Sequence, residues 1–216
     1  MQSIAVIDYG MGNLRSVAKA AETVSEGCAN VYVTDDPAVV RDADRVIFPG
    51  QGAMGDCMSA LTTLGLGDVV KEVVGQKPFL GICVGFQALL DQSDEDGGTP
   101  GLGLVAGTVR RFPNGQIDAA TGDRMKAPHM GWNEVRQTRA HPLWRGIPDR
   151  HRFYFVHSFY VDPDRAEVTS GATEYGVNFT SAACGPGWFA TQFHPEKSAQ
   201  AGLQLLRNFV DWDGVA

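Results

Sequence analysis

The sequence lacks the features that mark several large classes of protein. No segment is rich in lysine and arginine, and the net charge is −7, so a nucleic-acid partner is not expected. No stretch approaches the roughly 20 apolar residues that a membrane-spanning helix needs. The opening MQSIAVIDYG also lacks the basic segment and the cleavage site of a secretory leader. These absences predict a cytoplasmic protein with no nucleic-acid partner and no membrane partner.

The cysteines and glycines argue against further kinds of site. The four cysteines include no CxxC pair, which disfavours a zinc ribbon or a thioredoxin-type redox site, and we expect reduced thiols and no metal. Gly10-Met-Gly12 follows a strand-like run, but position 15 is Arg where a dinucleotide-binding turn has its third glycine. No GKS or GKT phosphate loop occurs either. A tight strand-to-helix turn is favoured over a nucleotide site, and we predict no cofactor.

The first half of the chain alternates short apolar runs with helical patterns. The runs predict strands at residues 4–8, 31–34, 45–48 and 78–82, and the patterns predict helices at 13–25, 53–61 and 68–74. Buried strands separated by helices imply right-handed crossovers and a mostly parallel, doubly wound sheet.

From Gly103 onward the pattern changes to strands with few helices between them. Strands are predicted at 104–112, 132–137, 153–161, 166–173, 177–183 and 188–193, followed by a closing helix at 198–211 with Ser198 as its N-cap. With 216 residues, 44% of them hydrophobic, and no visible linker, residues 1–216 are predicted to form one α/β domain. Its mostly parallel doubly wound sheet is extended by antiparallel strands in the C-terminal half.

GICVGFQ at 81–87 places a cysteine between two glycines, where a predicted strand meets a helix. Gly-x-Cys-x-Gly on such a turn is the cysteine version of a nucleophile elbow, which exposes the central side chain at the edge of the sheet. The dipole of the following helix favours the thiolate of Cys83, and the N–H of Val84 is free to bind an oxyanion. The alternative is a cysteine buried in the core, which is common for free cysteines.

His194-Pro195-Glu196 follows the last predicted strand directly. Proline keeps the residue before it extended, and residues i and i+2 of an extended chain point to the same side. Glu196 can therefore hold one ring nitrogen of His194 and leave the other for the sulfur. A solvated turn is the alternative. The sequence places His141 and His151 near turn residues at the surface.

The loop PGQGA at 49–53 follows another predicted parallel strand at the same sheet edge. Glycines on both sides of Gln51 make its peptide easy to rotate, so the loop, with Gly52, is a second predicted oxyanion donor; a plain strand-to-helix turn is the alternative. Cys28, Cys57 and Cys184 lack such a context and are interpreted as structural.

These motifs carry a family resemblance over nearly the whole chain. GICVGFQ, FPGQGA and QFHPEKS resemble the class I (triad) glutamine amidotransferases. PHMGWN at 128–133, YFVHSFY at 154–160 and the initial DYGMGNL are similar to the glutaminase subunits of the imidazole glycerol phosphate synthase family of histidine biosynthesis. The resemblance implies that Cys83 attacks the carboxamide of L-glutamine, with His194 as base and then acid and Glu196 orienting it. The oxyanion would rest on the N–H groups of Val84 and the Gln51 loop.

The resemblance also implies how the substrate is bound. Glutamine would be held by Gly52, Gln87, Glu95 and the backbone around Ser158. Phe159 stands where family members often have Tyr, which matters only if a hydroxyl takes part. The acidic tract DQSDEDGG at 91–98 leaves open which carboxylate corresponds to Glu95.

A partner is implied as well. The family docks on a (β/α)8-barrel cyclase subunit, forming a heterodimer that passes ammonia to it, and the glutaminase is activated by the ligand of that subunit. The residues matching this interface are Asn13, Met130, Trp132 and Lys197, with Trp132 in a turn-like MGWN. The alternatives are a glutaminase of another synthase, such as that for pyridoxal phosphate, a non-catalytic binding subunit, and a Cys–His peptidase.

Overall fold

The computed structural model describes residues 1–113, 115 and 127–215. Within these residues, thirteen strands join one mixed sheet. The strands are β1 (Gln2–Ile7), β2 (Ala29–Thr34), β3 (Arg45–Gly50), β4 (Phe79–Cys83), β5 (Leu90–Ser93), β6 (Thr99–Pro100), β7 (Val105–Arg111), β8 (His129–Gln137), β9 (His151–His157), β10 (Phe159–Pro163), β11 (Thr169–Glu174), β12 (Asn178–Gly185) and β13 (Trp188–Thr191).

The helices flank this sheet in two groups. They are α1 (Leu14–Val24), α2 (Pro37–Asp42), α3 (Met54–Thr63), α4 (Leu66–Val73), α5 (Val84–Gln87) and α6 (Ala199–Asp211). Helices α1 and α6 pack against each other, while α2 and α3 both contact α4. Among the described residues, none of these helices combines the length and the hydropathy needed to cross a bilayer.

One half of the sheet is parallel, in the order β2-β1-β3-β4-β13. Every residue of β3 and β4 is buried, as expected for strands covered on both faces, and such strands appear as continuous apolar runs in the sequence. Beyond β13 the sheet continues through β12, β10 and β7 with antiparallel pairing, and a branch of β11, β8 and β9 is also antiparallel. The predicted fold class is confirmed.

The strand pattern alone does not reveal the position of β13. This strand follows the antiparallel strands in sequence, but it pairs with β4 in parallel, with Thr191 opposite Ile82. Strand β3 lies on the other side of β4, with Gly50 opposite Cys83. The chain segments that follow β3, β4 and β13 therefore emerge side by side at one edge of the sheet.

Several predicted elements differ from the structure. The predicted strand at 153–161 is two strands, β9 and β10, which separate at Ser158, and at 166–173 a 3₁₀ turn precedes β11. Helix α2 and strands β5 and β6 were not predicted. Helix α5 ends after one turn because Leu90 enters β5, where it pairs with Val105 of β7. These are choices made by tertiary pairing rather than by local pattern.

Candidate active site

Cys83 occupies the sharp turn between β4 and α5. Its φ is 55°, a left-handed conformation that a non-glycine residue adopts only when its surroundings impose it. The flanking glycines make this turn sterically possible. A Cβ on Gly85 would lie 1.9 Å from the carbonyl oxygen of Phe48, and one on Gly81 would lie 3.2 Å from the oxygen of Gly85. The sharp strand-to-helix turn is present as predicted, but the Cys83 side chain is buried, with 4% exposure. Val84, as the first residue of α5, has no intrahelical acceptor for its amide.

His194 and Glu196 form a buried pair just beyond β13. The Nδ1 atom of His194 lies 2.9 Å from Oε1 of Glu196, and the two side chains are 2% and 0% exposed. The His194 backbone is extended, and its N–H donates to the carbonyl oxygen of Tyr154 on β9 at 2.9 Å. The hydroxyl of Ser198 donates to the carbonyl oxygen of His194 and accepts from the N–H of Tyr154. The His194 backbone is thus held by Tyr154 and Ser198, and its ring is held at Nδ1 by Glu196.

The electrostatics of His194 link it to the sulfur. Burial lowers the pKa of the ring, but the negative charge of Cys83 and the carboxylate of Glu196 outweigh burial and raise the pKa to about 10. The buried Nε2 atom makes no hydrogen bond with any residue that the structure describes. The ring therefore favours the protonated form, with Nε2 available to a reacting group.

A cleft of about 400 Å³ opens over these residues. This volume lies in the range of small-molecule sites. The lining includes nine of the residues predicted as catalytic, oxyanion, glutamine-binding or interface residues, which are Gln51, Gly52, Cys83, Val84, Gln87, Glu95, Ser158, His194 and Lys197. Glu196 lies behind His194, and Asn13 borders a narrow gap with Gly50 and Glu196. Met130 and Trp132 are outside the cleft lining.

Glu95 and Gln87 each have one free acceptor. Oε2 of Glu95 accepts from the N–H of Met54 at the start of α3, at 2.7 Å. Burial raises the pKa of Glu95 more than this amide lowers it. Nε2 of Gln87 donates to the carbonyl oxygen of Phe159 and to Oε1 of Gln192. Oε1 of Gln87 has no partner in the described part of the chain, so both side chains can present an oxygen to a ligand.

The loop after β3 is confined between Tyr9 and the elbow. A Cβ on Gly50 would lie 2.7 Å from both the Tyr9 hydroxyl oxygen and the Gly85 nitrogen, and Gly52 has a φ of +91°. Burial raises the pKa of Tyr9, whose buried hydroxyl makes no hydrogen bond with any residue that the structure describes. Gln51 and Gly52 both line the cleft.

Near the rim, Met130 and Trp132 are exposed and Lys197, which lines the cleft, is half-buried. Met130 and Trp132 on β8 are 63% and 50% exposed. The Trp132 ring packs edge-on against the Tyr154 ring, with 6.2 Å between the ring centroids. Nζ of Lys197 lies 6.0 Å from the centroid of the Tyr154 ring. The prediction that Trp132 lies in a turn is wrong, because MGWN is part of β8 and pairs with β9.

The structure corrects two further predictions. His141 is only 6% exposed and packs against Phe189 and Trp212, because its turn is covered by the core; His151 is exposed as predicted. Cys28 is exposed and therefore does not pack as a structural residue, whereas Cys57 and Cys184 are buried. Within the described residues, no three His, Cys, Asp or Glu side chains are grouped as metal ligands would be.

Sequence reasoning did not find Gln192, His157 and Tyr9 as residues of this site. Gln192 is buried and hydrogen-bonds to Gln87 and Cys83. His157 is buried and hydrogen-bonds to the Phe159 carbonyl, and Tyr9 lies close to Gly50 at the end of β3. The only local signal is that Gln192 lies two residues before His194, which places it at the same strand end.

Known proteins are similar in sequence to this chain over nearly its whole length. The family model "Glutamine amidotransferase class-I" matches residues 5–212. The HisH subunit of imidazole glycerol phosphate synthase from Aromatoleum aromaticum is 58% identical, with 98% of this chain and 99% of that protein covered. HisH from Dechloromonas aromatica is 59% identical, with 98% and 97% covered. This chain belongs to the HisH family of class-I glutamine amidotransferases.

Solved structures support the amidotransferase fold at much lower identity. A structure described as a glutamine amidotransferase has a TM-score of 0.70 at 18% identity and covers 98% of this chain and 99% of that one. A putative GMP synthase protein from Thermoplasma acidophilum has a TM-score of 0.68 at 19% identity, with 98% and 93% covered. The fold of this class-I amidotransferase is therefore retained where most of the sequence differs.

Proposed function

We propose that this HisH-type amidotransferase hydrolyses L-glutamine to glutamate and ammonia, and supplies the ammonia to the cyclase subunit of imidazole glycerol phosphate synthase in histidine biosynthesis. The observation that carries the proposal is the line of Cys83, His194 and Glu196 at one edge of a cleft of suitable size. The HisH relatives favour this synthase over the one for pyridoxal phosphate.

The reaction begins with proton transfer. The sulfur of Cys83 attacks the side-chain carbonyl carbon of glutamine, and its proton resides on Nε2 of His194, where the raised pKa of about 10 keeps it at neutral pH. The imidazolium then gives this proton to the leaving nitrogen, and ammonia departs as the thioester forms. Water attacks the thioester, returns a proton to the ring and releases glutamate. Glu196 holds the ring orientation throughout.

The tetrahedral intermediate needs donors for its oxyanion. The N–H of Val84 is free at the start of α5, and the second donor is the N–H of Gln51 beside Gly52. Gly50 and Gly52 flank Gln51, and we place a rotation of that peptide before chemistry so that its N–H can reach the oxyanion. The glycines on either side lower the cost of the rotation.

The substrate is held around the same cleft. A free carboxylate oxygen of Glu95 suits the α-ammonium group, and Oε1 of Gln87 accepts from a donor of glutamine. Gly52 and the backbone at Ser158 complete the binding site. Since the Phe159 carbonyl holds Gln87, the role at that position belongs to the backbone, and the phenyl side chain in place of Tyr does not remove it.

The ammonia is transferred inside a heterodimer. In neutral water most ammonia is protonated and loses its nucleophilicity, so a docked cyclase is needed to receive it. The exposed Met130 and Trp132, with Lys197 and Asn13, form the contact surface. Residues 1–216 act as one amidotransferase domain, and the four free thiols suit the reducing cytoplasm.

Glutamate release by the wild type and by Cys83→Ala, with and without the cyclase and its nucleotide ligand, tests this proposal. We expect weak release from the chain alone, a strong rise with both additions, and none from Cys83→Ala. Cys184→Ala removes another buried thiol and is the matched control, which keeps full activity. Release by Cys83→Ala would refute the mechanism and leave a non-catalytic role, while full activity without the cyclase would refute the coupling.

A further inference from the structure

Gln192 lies directly beside the reactive sulfur. It follows β13, has no exposed surface, and its Nε2 atom is 3.6 Å from Sγ of Cys83. A buried primary amide could present either its NH₂ or its oxygen to the sulfur. The two arrangements have opposite effects, because a donor stabilises a thiolate and an acceptor repels it.

The hydrogen bonds around the Phe159 carbonyl settle this choice. That carbonyl oxygen can only accept, so the atom of Gln87 that lies 3.0 Å from it must be the amide nitrogen. The same nitrogen is 3.1 Å from the Gln192 side chain, which must therefore present its oxygen there. The NH₂ of Gln192 is left facing Cys83. The Phe159 carbonyl thus fixes which atoms donate and which accept in the hydrogen bonds that run through Gln87 and Gln192 to Cys83.

A second branch holds the same carbonyl in place. Nδ1 of His157 donates to it at 2.7 Å, so Nε2 of His157 accepts from Nδ1 of His129 at 2.9 Å. Nε2 of His129 in turn lies 3.3 Å from the amide nitrogen of Asn133. Burial lowers the pKa of His157 to about 3 and that of His129 to about 4, so both rings are neutral and each has one donor and one acceptor. Each of these hydrogen bonds then joins one donor to one acceptor.

We infer that Gln192 is a further catalytic residue, which donates an N–H to the Cys83 sulfur, and that His157 is a positioning residue that orients it through the Phe159 carbonyl and Gln87. The donor stabilises the thiolate before any substrate is bound. The inference rests on Cys83 as the reactive thiol of the proposed function, but not on the identity of the substrate or the partner.

The rate of Cys83 alkylation by iodoacetamide reports the fraction of thiolate. We measure this rate in the full chain as a function of pH, by mass spectrometry of the peptide that contains Cys83. For Gln192→Leu we expect about a tenfold slower reaction at neutral pH and a profile displaced by about one pH unit to higher pH. Gln192→Glu places an acceptor against the sulfur and slows the reaction further. Gln204→Leu is the matched control, since Gln204 bonds Asn208 on α6 and is outside the cleft lining, and it keeps the parent profile.

The His157 variants test the orientation and do not depend on Gln192 tolerating substitution. His157→Phe keeps an aromatic ring but loses the donor to Phe159, and should slow alkylation like Gln192→Leu. His157→Asn can restore a donor near the position of Nδ1 and should recover most of the rate. Thermal unfolding identifies any variant that fails to fold. If the Gln192 variants do not fold, the comparison of His157→Phe with His157→Asn tests the inference. The inference would be overturned by parent-like alkylation profiles in the folded Gln192 variants, or by equal losses of alkylation rate in both His157 variants. A loss of glutaminase activity alone would bear only on the proposed function.

Discussion

The close approach of the elbow to β3 makes Gly85→Ala a sensitive perturbation. The added Cβ would lie 1.9 Å from the Phe48 carbonyl oxygen and 2.8 Å from its carbon, where contacts below 3.0 Å are essentially never found. Strand β3 and the elbow must therefore separate by about 1 Å. Overpacking of this kind costs about 1–3 kcal/mol of unfolding free energy. Because Phe48 is two residues before Gly50, the displacement also reaches the oxyanion loop.

The catalytic effect of that displacement follows from its size. A misplacement of about 1 Å in an active site costs about 100-fold in rate. We therefore expect Gly85→Ala to lower kcat/KM for glutamate release in the cyclase complex by about 100-fold, and to lower the unfolding free energy measured in urea.

Gly67→Ala provides the matched control for this experiment. Gly67 lies in α4, and a Cβ there would be 3.7 Å from the nearest atom, a methyl carbon of Leu102. Its activity should equal that of the parent, and its stability should rise by up to about 1 kcal/mol, because alanine favours the helix. Parent-like activity and stability in Gly85→Ala would refute the claim that strand–elbow contact positions the loop.

Three other predictions concern the buried pair and the rim. Glu196→Gln keeps an acceptor for His194 but removes the negative charge, so the pKa of His194 should fall and steady-state glutamate release should drop by at least about 100-fold; an unchanged rate would contradict the role of the carboxylate. The pKa of His194 is raised from 6.5 to about 10, so the imidazolium contributes stability that is complete below pH 6.5 and lost as pH rises through about 10. The difference in urea unfolding free energy between parent and His194→Asn should therefore shrink across that range, and a constant difference would show that the charge is not retained. Trp132→Ala should weaken binding of the cyclase at least tenfold in a titration without changing the melting temperature, whereas Tyr32→Ala, equally exposed on β2, should bind normally; equal losses would argue against a β8 interface.

Much of the fold could be predicted because its signals are local. Strands β3 and β4 are continuous apolar runs, and α1 shows a clear amphipathic pattern, so their order and type follow from the sequence. The short helix α2 has no such signal and was not predicted. A helix after Cys83 was predicted, but its end after one turn and strand β5 could not be, because Leu89 and Leu90 are equally compatible with a longer helix. Their conformation is decided by pairing with β7, which is distant in sequence.

The candidate site divides in the same way. The sequence by itself predicted the elbow at Cys83, since a strand that ends between two glycines favours a tight turn there. It also predicted the pairing of His194 with Glu196, but the structure achieves it with a 3₁₀ turn at Pro195–Lys197 and not with the extended chain that was predicted. Tertiary structure alone decided that β13 inserts beside β4 and carries His194 and Gln192 to the sulfur. Such pairing depends on long-range burial and hydrogen bonding between segments more than 100 residues apart, which no local pattern encodes. The same reason explains why the amide and imidazole chain through Gln87, Gln192 and His157 emerged only from the folded molecule.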